Sequence, residues 1–159
     1  PKPLSKYSQQ KLIAEKNFET FSKIHNLKCT ILRVSSAYGF DKRFSNQGVI
    51  NKWLHDSLIY GSLKLYNSPE SKINFISYEQ ITKAIVISIE RELIGIYNIA
   101  STKSTELKEI IHKVELVTNK NLSIEFINKE KRNINIDINK FFSETGIKFE
   151  NKVINNNEI

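Results

Sequence analysis

A tyrosine and a lysine stand four residues apart in the run Tyr7-Ser8-Gln9-Gln10-Lys11. On a helix, side chains at that spacing lie one above the other on a single face. A free phenol has a pKa of about 10 and is a poor base at neutral pH. A neighbouring ammonium favours the phenolate and draws such a group toward the working range. The pair could therefore take a proton from an alcohol or return one to a carbonyl. The same spacing also fits an exposed aromatic beside a solvated lysine, so the surrounding elements must decide.

Those elements begin with a helix. Tyr7, Lys11, Ala14, Phe18 and Phe21 recur at spacings of four, three, four and three, which predicts a helix over residues 5–26. Ser5 is its expected N-cap, Pro3 stops it extending backward, and His25 suits the C-terminal end of the dipole. A strand is expected next, over residues 28–36. Its run from Cys29 to Val34 is apolar and β-branched, as in a strand buried on both faces. A helix leading straight into such a strand is half of a βαβ unit. Arg33, inside that strand, calls for a carboxylate partner.

Farther along, a polar loop covers residues 41–48, and Val49, Ile50, Trp53, Leu54 and Leu58 mark a helix ending near Gly61. Strands are expected over 63–66 and 73–77, with a turn around Pro69 between them. A helix over 79–91 places Ile81, Ala84, Ile85 and Ser88 on one face, and a strand follows at 96–99. Ser104 or Thr105 would cap the next helix, whose apolar face is Leu107, Ile110, Ile111, Val114 and Val117. A strand over 122–127 and a short helix over 137–145, closed by Gly146, lead to a polar tail from residue 151. Trp53 reads as core.

Bulk properties exclude several function classes. The net charge is +7, but the lysines are interleaved with glutamates in no long like-charged block, which points to a solvated basic surface or an anionic substrate rather than to nucleic acid. No apolar run approaches the roughly 20 residues that cross a bilayer, and no signal peptide is visible, so an intracellular, cytoplasmic protein is expected. The single cysteine, Cys29, excludes an intrachain disulfide and reads as a structural thiol. The three histidines are scattered, so no metal site is expected. A chain of 159 residues with no methionine and a proline at its start reads as a fragment of a longer protein.

The motifs then fall into one order. Tyr7 and Lys11, with Leu12 and Glu15 behind them, are followed by Leu32-Arg33 and Tyr38-Gly39, by Phe75-Ile76, by Tyr97-Asn98-Ile99, and by Asp137, Lys140 and Gly146. Over nearly the whole chain this series resembles the extended short-chain dehydrogenase/reductases, specifically their NAD-dependent sugar-nucleotide epimerase and dehydratase branch. The resemblance implies an α/β fold: the C-terminal part of a doubly wound, Rossmann-like parallel sheet plus a small α/β substrate-binding domain. Residues 1–40 would end the NAD-binding domain. Residues 41–159 would be mainly the substrate domain, with 73–100 returning to the sheet.

The resemblance also assigns roles. Tyr7 becomes the general acid/base, and Lys11 tunes it and holds the nicotinamide ribose of NAD or NADP. Ser36, Lys72 and Arg132 would bind a nucleotide-sugar substrate. The Tyr7–Lys11 helix would join a homodimer interface. This sequence departs from the family at four places. The glycine-rich turn that cradles the pyrophosphate is absent, so the chain by itself is expected to be inactive. Ser36 stands where the family has asparagine. Lys72 and Ile73 stand where it has an arginine, which costs the bidentate fork. Glu79 and Gln80 replace paired aspartates. Two alternatives share these features: an extended reductase acting on another carbonyl substrate, and a degenerate, non-catalytic module that kept the fold.

Overall fold

In the computed structural model of the chain, residues 3, 5–39 and 48–151 are described; the loop expected over 41–48 lies outside them except for Gly48, as does the tail beyond residue 151. The elements run α1 (Lys6–Ile24), β1 (Thr30–Val34), β2 (Ser36–Tyr38), α2 (Val49–Tyr60), β3 (Ser62–Leu65), β4 (Lys72–Ile73), β5 (Phe75–Ser77), α3 (Tyr78–Glu90), β6 (Gly95–Ile99), β7 (Thr105–Glu106), α4 (Leu107–Thr118), β8 (Ser123–Phe126) and α5 (Asn139–Thr145). Strands pair as β1 with β6, β2 with β5 and β3 with β8, all parallel, and β4 with β7 antiparallel. The fold is mixed α/β with parallel pairing joined through helices, as expected.

Local chemistry sets the helix ends. Ser5 accepts from the Ser8 backbone N–H at 3.1 Å, and the Ser5 N–H donates to Ser8 Oγ at 3.0 Å, a reciprocal capping box. Ser77 and Gln80 repeat the device at the start of α3. Gly61 and Gly146 close α2 and α5 in the left-handed conformation that costs glycine no Cβ clash.

Two hydrophobic clusters form among the described residues. One gathers Ile50, Trp53, Leu63, Leu65, Ile73, Phe75, Leu107, Ile110 and Val114 from α2, β3, β4, β5 and α4. The other gathers Ile76, Ala84, Ile87, Tyr97, Ile99, Phe141 and Phe149 from β5, α3, β6, α5 and the segment after it. Strand β5 serves both. Successive strand residues point to opposite faces, so Phe75 enters the first cluster and Ile76 the second. Each side chain is at most 1% exposed, a burial that stabilises by about 1.5–3 kcal/mol apiece. The two cores are therefore walled by one strand.

Several expectations need correction. The strand expected over 73–77 is two, β4 and β5, broken at Asn74. The break is filled by polar bonds: Asn74 is buried, donates to the Ser101 carbonyl at 2.9 Å, and accepts from the Ser101 N–H at 3.0 Å. Strand β1 is only partly buried, with Val34 exposed. On α3 Ala84 and Ser88 are buried as expected, but Ile87 joins them and Ile85 is 45% exposed. Neither Ser104 nor Thr105 caps α4: the Ser104 hydroxyl donates to the Ile134 carbonyl, Thr105 belongs to β7, and Glu106 is the N-cap residue without a side-chain cap bond. Cys29 is half-buried rather than enclosed.

Candidate functional site

Helix α1 carries Tyr7 and Lys11 one turn apart at its N-terminal end, where the capping box fixes the first turn. The Lys11 ammonium lies 5.5 Å from the centre of the Tyr7 ring. Tyr7 is 70% exposed, and no residue of α1 is buried. The next turn brings Glu15, half-buried toward β1. Arg33 of β1 grips it with both prongs of the guanidinium: Nε donates to Oε1 at 2.9 Å and an Nη to Oε2 at 2.5 Å. This fork is the strong form of the carboxylate pair. The Arg33 hydrogen bond outweighs burial and holds the Glu15 carboxyl below its ordinary range, while Glu15 raises Arg33 in turn.

Tyr7, Lys11, Glu15 and Arg33 line a cleft of about 820 Å³. Its far wall comes from distant sequence: Asn67 after β3, and Asn128, Glu130 and Arg132 after β8. A second cavity of about 260 Å³ opens beside it, lined by Ser36, Trp53, Tyr66, Phe75 and Ile134 among others. Asn67 and Arg132 border both spaces, so the two are adjoining parts of one depression.

The charges along this depression are unequally matched. Lys52 and Lys64 line the smaller cavity, but each already has a carboxylate, Asp56 at 2.9 Å and Glu125 at 3.2 Å. Burial pushes the Asp56 carboxyl up, yet hydrogen bonds from Lys52 and His55 overcome it and the net direction is down. Lys11 and Arg132 make no ion pair among the described residues. They are the cations left to meet an anion. Apolar and aromatic walls with a few convergent polar groups are the usual make-up of a small-molecule site.

The structure thus brings Tyr7, Lys11 and Arg132 to one cleft and sets Ser36 in the adjoining cavity. Lys72 lies elsewhere: it lines neither space, and its ammonium is 3.8 Å from Glu106 in the β4–β7 pairing. Its neighbour Ile73 faces the smaller cavity instead, as strand alternation requires. Asn67 and Tyr66 went unrecognised in the sequence, since a turn residue and an exposed aromatic carry no motif, and Phe75 entered only through the Phe75-Ile76 run, not as a residue lining a cavity. Trp53 does double duty: it is 5% exposed, donates from its indole N–H to the Lys64 carbonyl at 3.2 Å, and borders the cavity.

The chain belongs to the NAD dependent epimerase/dehydratase family, whose model matches residues 1–100. It is 31% identical over 149 residues to dTDP-4-dehydro-6-deoxyglucose reductase of Escherichia coli, covering 91% of this chain and 47% of that protein. Among solved structures it resembles UDP-glucuronic acid 4-epimerase from Bacillus cereus, with a TM-score of 0.84 at 21% identity over 96% of this chain and 50% of that one. It also resembles dTDP-glucose 4,6-dehydratase from Bacillus anthracis, with a TM-score of 0.79 at 20% identity over 94% of this chain and 48% of that one. The chain spans about half the length of the relatives it matches. Among the described residues, no helix is long and apolar enough to cross a membrane, and no group of His, Cys, Asp or Glu could hold a metal ion.

Proposed function

We propose that this chain is the substrate-side part of an enzyme that oxidises or reduces a sugar carbon of a nucleotide sugar, with Tyr7 as the general acid/base. The observation that carries this reading is the meeting of Tyr7 and Lys11 with Arg132 in one cleft, continued by an aromatic cavity. The parts fit the pieces of such a substrate. The sugar would sit at Tyr7, the diphosphate beside Arg132, and the base among Trp53, Tyr66 and Phe75. Ser36 would hydrogen-bond the substrate. Lys72 would act only at a distance or after a side-chain change, since it now faces Glu106.

The residues present fit one end of a nicotinamide cofactor: Tyr7 and Lys11 offer a phenol and an ammonium to its ribose. NAD or NADP, when bound, supplies the hydride chemistry. Tyr7 takes the proton from the substrate hydroxyl as the carbonyl forms, or gives it to the carbonyl oxygen in reduction. Lys11 offsets the negative charge on the phenolic oxygen in the meantime. The relatives' greater length supports a further half that carries the rest of the cofactor site.

In this reading residues 1–40 and 73–100 form the cofactor-side lobe, and the rest of 41–159 the substrate lobe. The pairings β1 with β6 and β2 with β5 support that grouping. A homodimer through α1 is supported by the exposure of Phe18 (63%) and Phe21 (53%) on the stripe that begins at Tyr7. In this reading the protein works in the cytoplasm. The 31% identity to a reductase favours reduction of a keto sugar over epimerisation as the particular reaction.

The test uses the chain's single tryptophan, Trp53, as a reporter inside the cavity. Titration with UDP or dTDP is expected to change its fluorescence saturably. Arg132→Gln is expected to weaken that binding by about tenfold, the loss of one charge-assisted contact. Trp53 emission indifferent to both nucleotides at millimolar concentration would overturn the reading.

A further inference from the structure

Lys11 and Glu15 are four residues apart on α1, the spacing at which a lysine and a glutamate on a helix attract each other. They do not pair here. The Glu15 carboxylate is filled by Arg33, which bonds both of its oxygens. Glu15 is only 17% exposed at its side chain and Arg33 32%, so solvent does not screen the pair away. Lys11, one turn back, has no ion-pair partner among the described residues and leans over the Tyr7 ring instead. Tyr7, Lys11, Glu15 and Arg33 thus form a line in which one carboxylate stands between two cations; Glu19, one turn farther along α1, also acts on Arg33 through its charge.

We infer that Arg33 is a positioning residue for Lys11: by occupying Glu15 it denies Lys11 the carboxylate one turn ahead and leaves the ammonium at Tyr7. The role rests on the reading of Tyr7 and Lys11 given above, but the geometry does not. Without Arg33, Glu15 would be a half-buried carboxylate with no partner, and an unpaired charge there is costly. A cation able to satisfy it stands one turn back on the same helix: Lys11, whose four-carbon stem spans that distance. The ammonium would then swing from Tyr7 to Glu15. Two other charged groups face the same cleft from the segment after β8, Glu130 and Arg132. They leave the competition unchanged, because Glu130 is present in every variant below.

The posture of Lys11 can be read directly on this chain by nuclear magnetic resonance, without any turnover. The signature is the nuclear Overhauser contact between the Lys11 ε-protons and the Tyr7 ring protons. In Arg33→Gln that contact is expected to fall by roughly half or more, as Glu15 captures the ammonium. In the double variant Glu15→Gln with Arg33→Gln it is expected to return, because the competitor is gone. Arg33→Lys, which keeps the charge but gives Glu15 a single point contact in place of the fork, is expected to weaken the contact less than Arg33→Gln, and it stands in if Arg33→Gln does not fold. A contact that is undiminished in the folded single variants overturns the inference. So does one that falls and is not restored in the double variant, since Arg33 would then serve only the fold of α1 on β1. The catalytic reading fails separately, through a Tyr7→Phe enzyme that keeps its turnover.

Discussion

The Tyr97 hydroxyl of β6 donates to Glu144 Oε2 of α5 at 2.6 Å, with the Ile94 carbonyl 3.0 Å away on its other side. Around this bond the Lys140 ammonium lies 4.2 Å from the centre of the Tyr97 ring, and the ring of Phe141 meets it edge-on at 6.2 Å. Burial first, and the Glu144 carboxylate second, push the Tyr97 phenol up to about 12. The folded chain therefore holds this proton more tightly than the unfolded chain, whose phenol titrates near pH 10.0. That stabilisation is fully present below the unfolded value and is lost as pH rises through the folded one. Tyr97→Phe is expected to cost about 1–2 kcal/mol at neutral pH and to flatten the alkaline fall in stability. Urea unfolding at several pH values between neutral and strongly alkaline checks both; an alkaline fall of the same size in the variant contradicts the assignment.

The Glu15–Arg33 fork gives the opposite pH dependence. Arg33 holds the Glu15 carboxyl below the ordinary glutamate range, so the contribution is present above that range and is lost as pH falls through the lower folded value. Helix α1 has no buried residue to hold it otherwise. Its attachment to β1 is expected to loosen in acid before the two cores unfold. Cleavage by pepsin, which works in this range, is expected to appear first within α1. Glu15→Gln is expected to be cut there even at the mild end of the range.

Asn74 closes the gap between β4 and β5 by bonding both the N–H and the carbonyl of Ser101. Asn74→Ala leaves that buried N–H without an acceptor, at a cost of about 1–3 kcal/mol. Asn74→Asp keeps the acceptor but sets a buried carboxylate oxygen against the Ser101 carbonyl, so its cost at neutral pH is expected to exceed that of the alanine variant and to shrink in acid, where the protonated carboxyl can donate. Chemical denaturation orders the three proteins; an alanine variant as stable as the parent would show that the network is not structural.

The proposed catalysis is tested on a protein of the relatives' full length, of which this chain spans about half. In such an enzyme Tyr7→Phe is expected to lower turnover by about 100-fold or more. Binding of nucleotide at Trp53 is expected to survive, because the phenolic oxygen is at the other end of the depression. Steady-state kinetics and Trp53 fluorescence on the same preparation separate the two effects.

What was legible in the sequence is what depends on neighbours along the chain. The start of α1 follows from Ser5 and its local hydrogen bonds, and the ends of α2 and α5 follow from Gly61 and Gly146, which accept a left-handed backbone. The Tyr7–Lys11 pairing is of the same kind, because one helical turn fixes it. The Arg33 partner was foreseeable as a type, a carboxylate, though not as Glu15. Other features were decided only when distant segments met. Asn74 breaks a strand that reads as continuous because Ser101 offers it both halves of a backbone bond. Ile87 rather than Ile85 turns inward because the contact with the sheet, and not the periodicity, sets the rotation of α3. Strand β1 reads as doubly buried by composition, but burial is a property of what packs against its two faces, and distant segments decide that. Arg132 comes to the cleft of Tyr7 through the parallel pairing of β3 with β8 and through its own backbone bonds to Ser71 and Lys72, long-range contacts whose register no local pattern encodes.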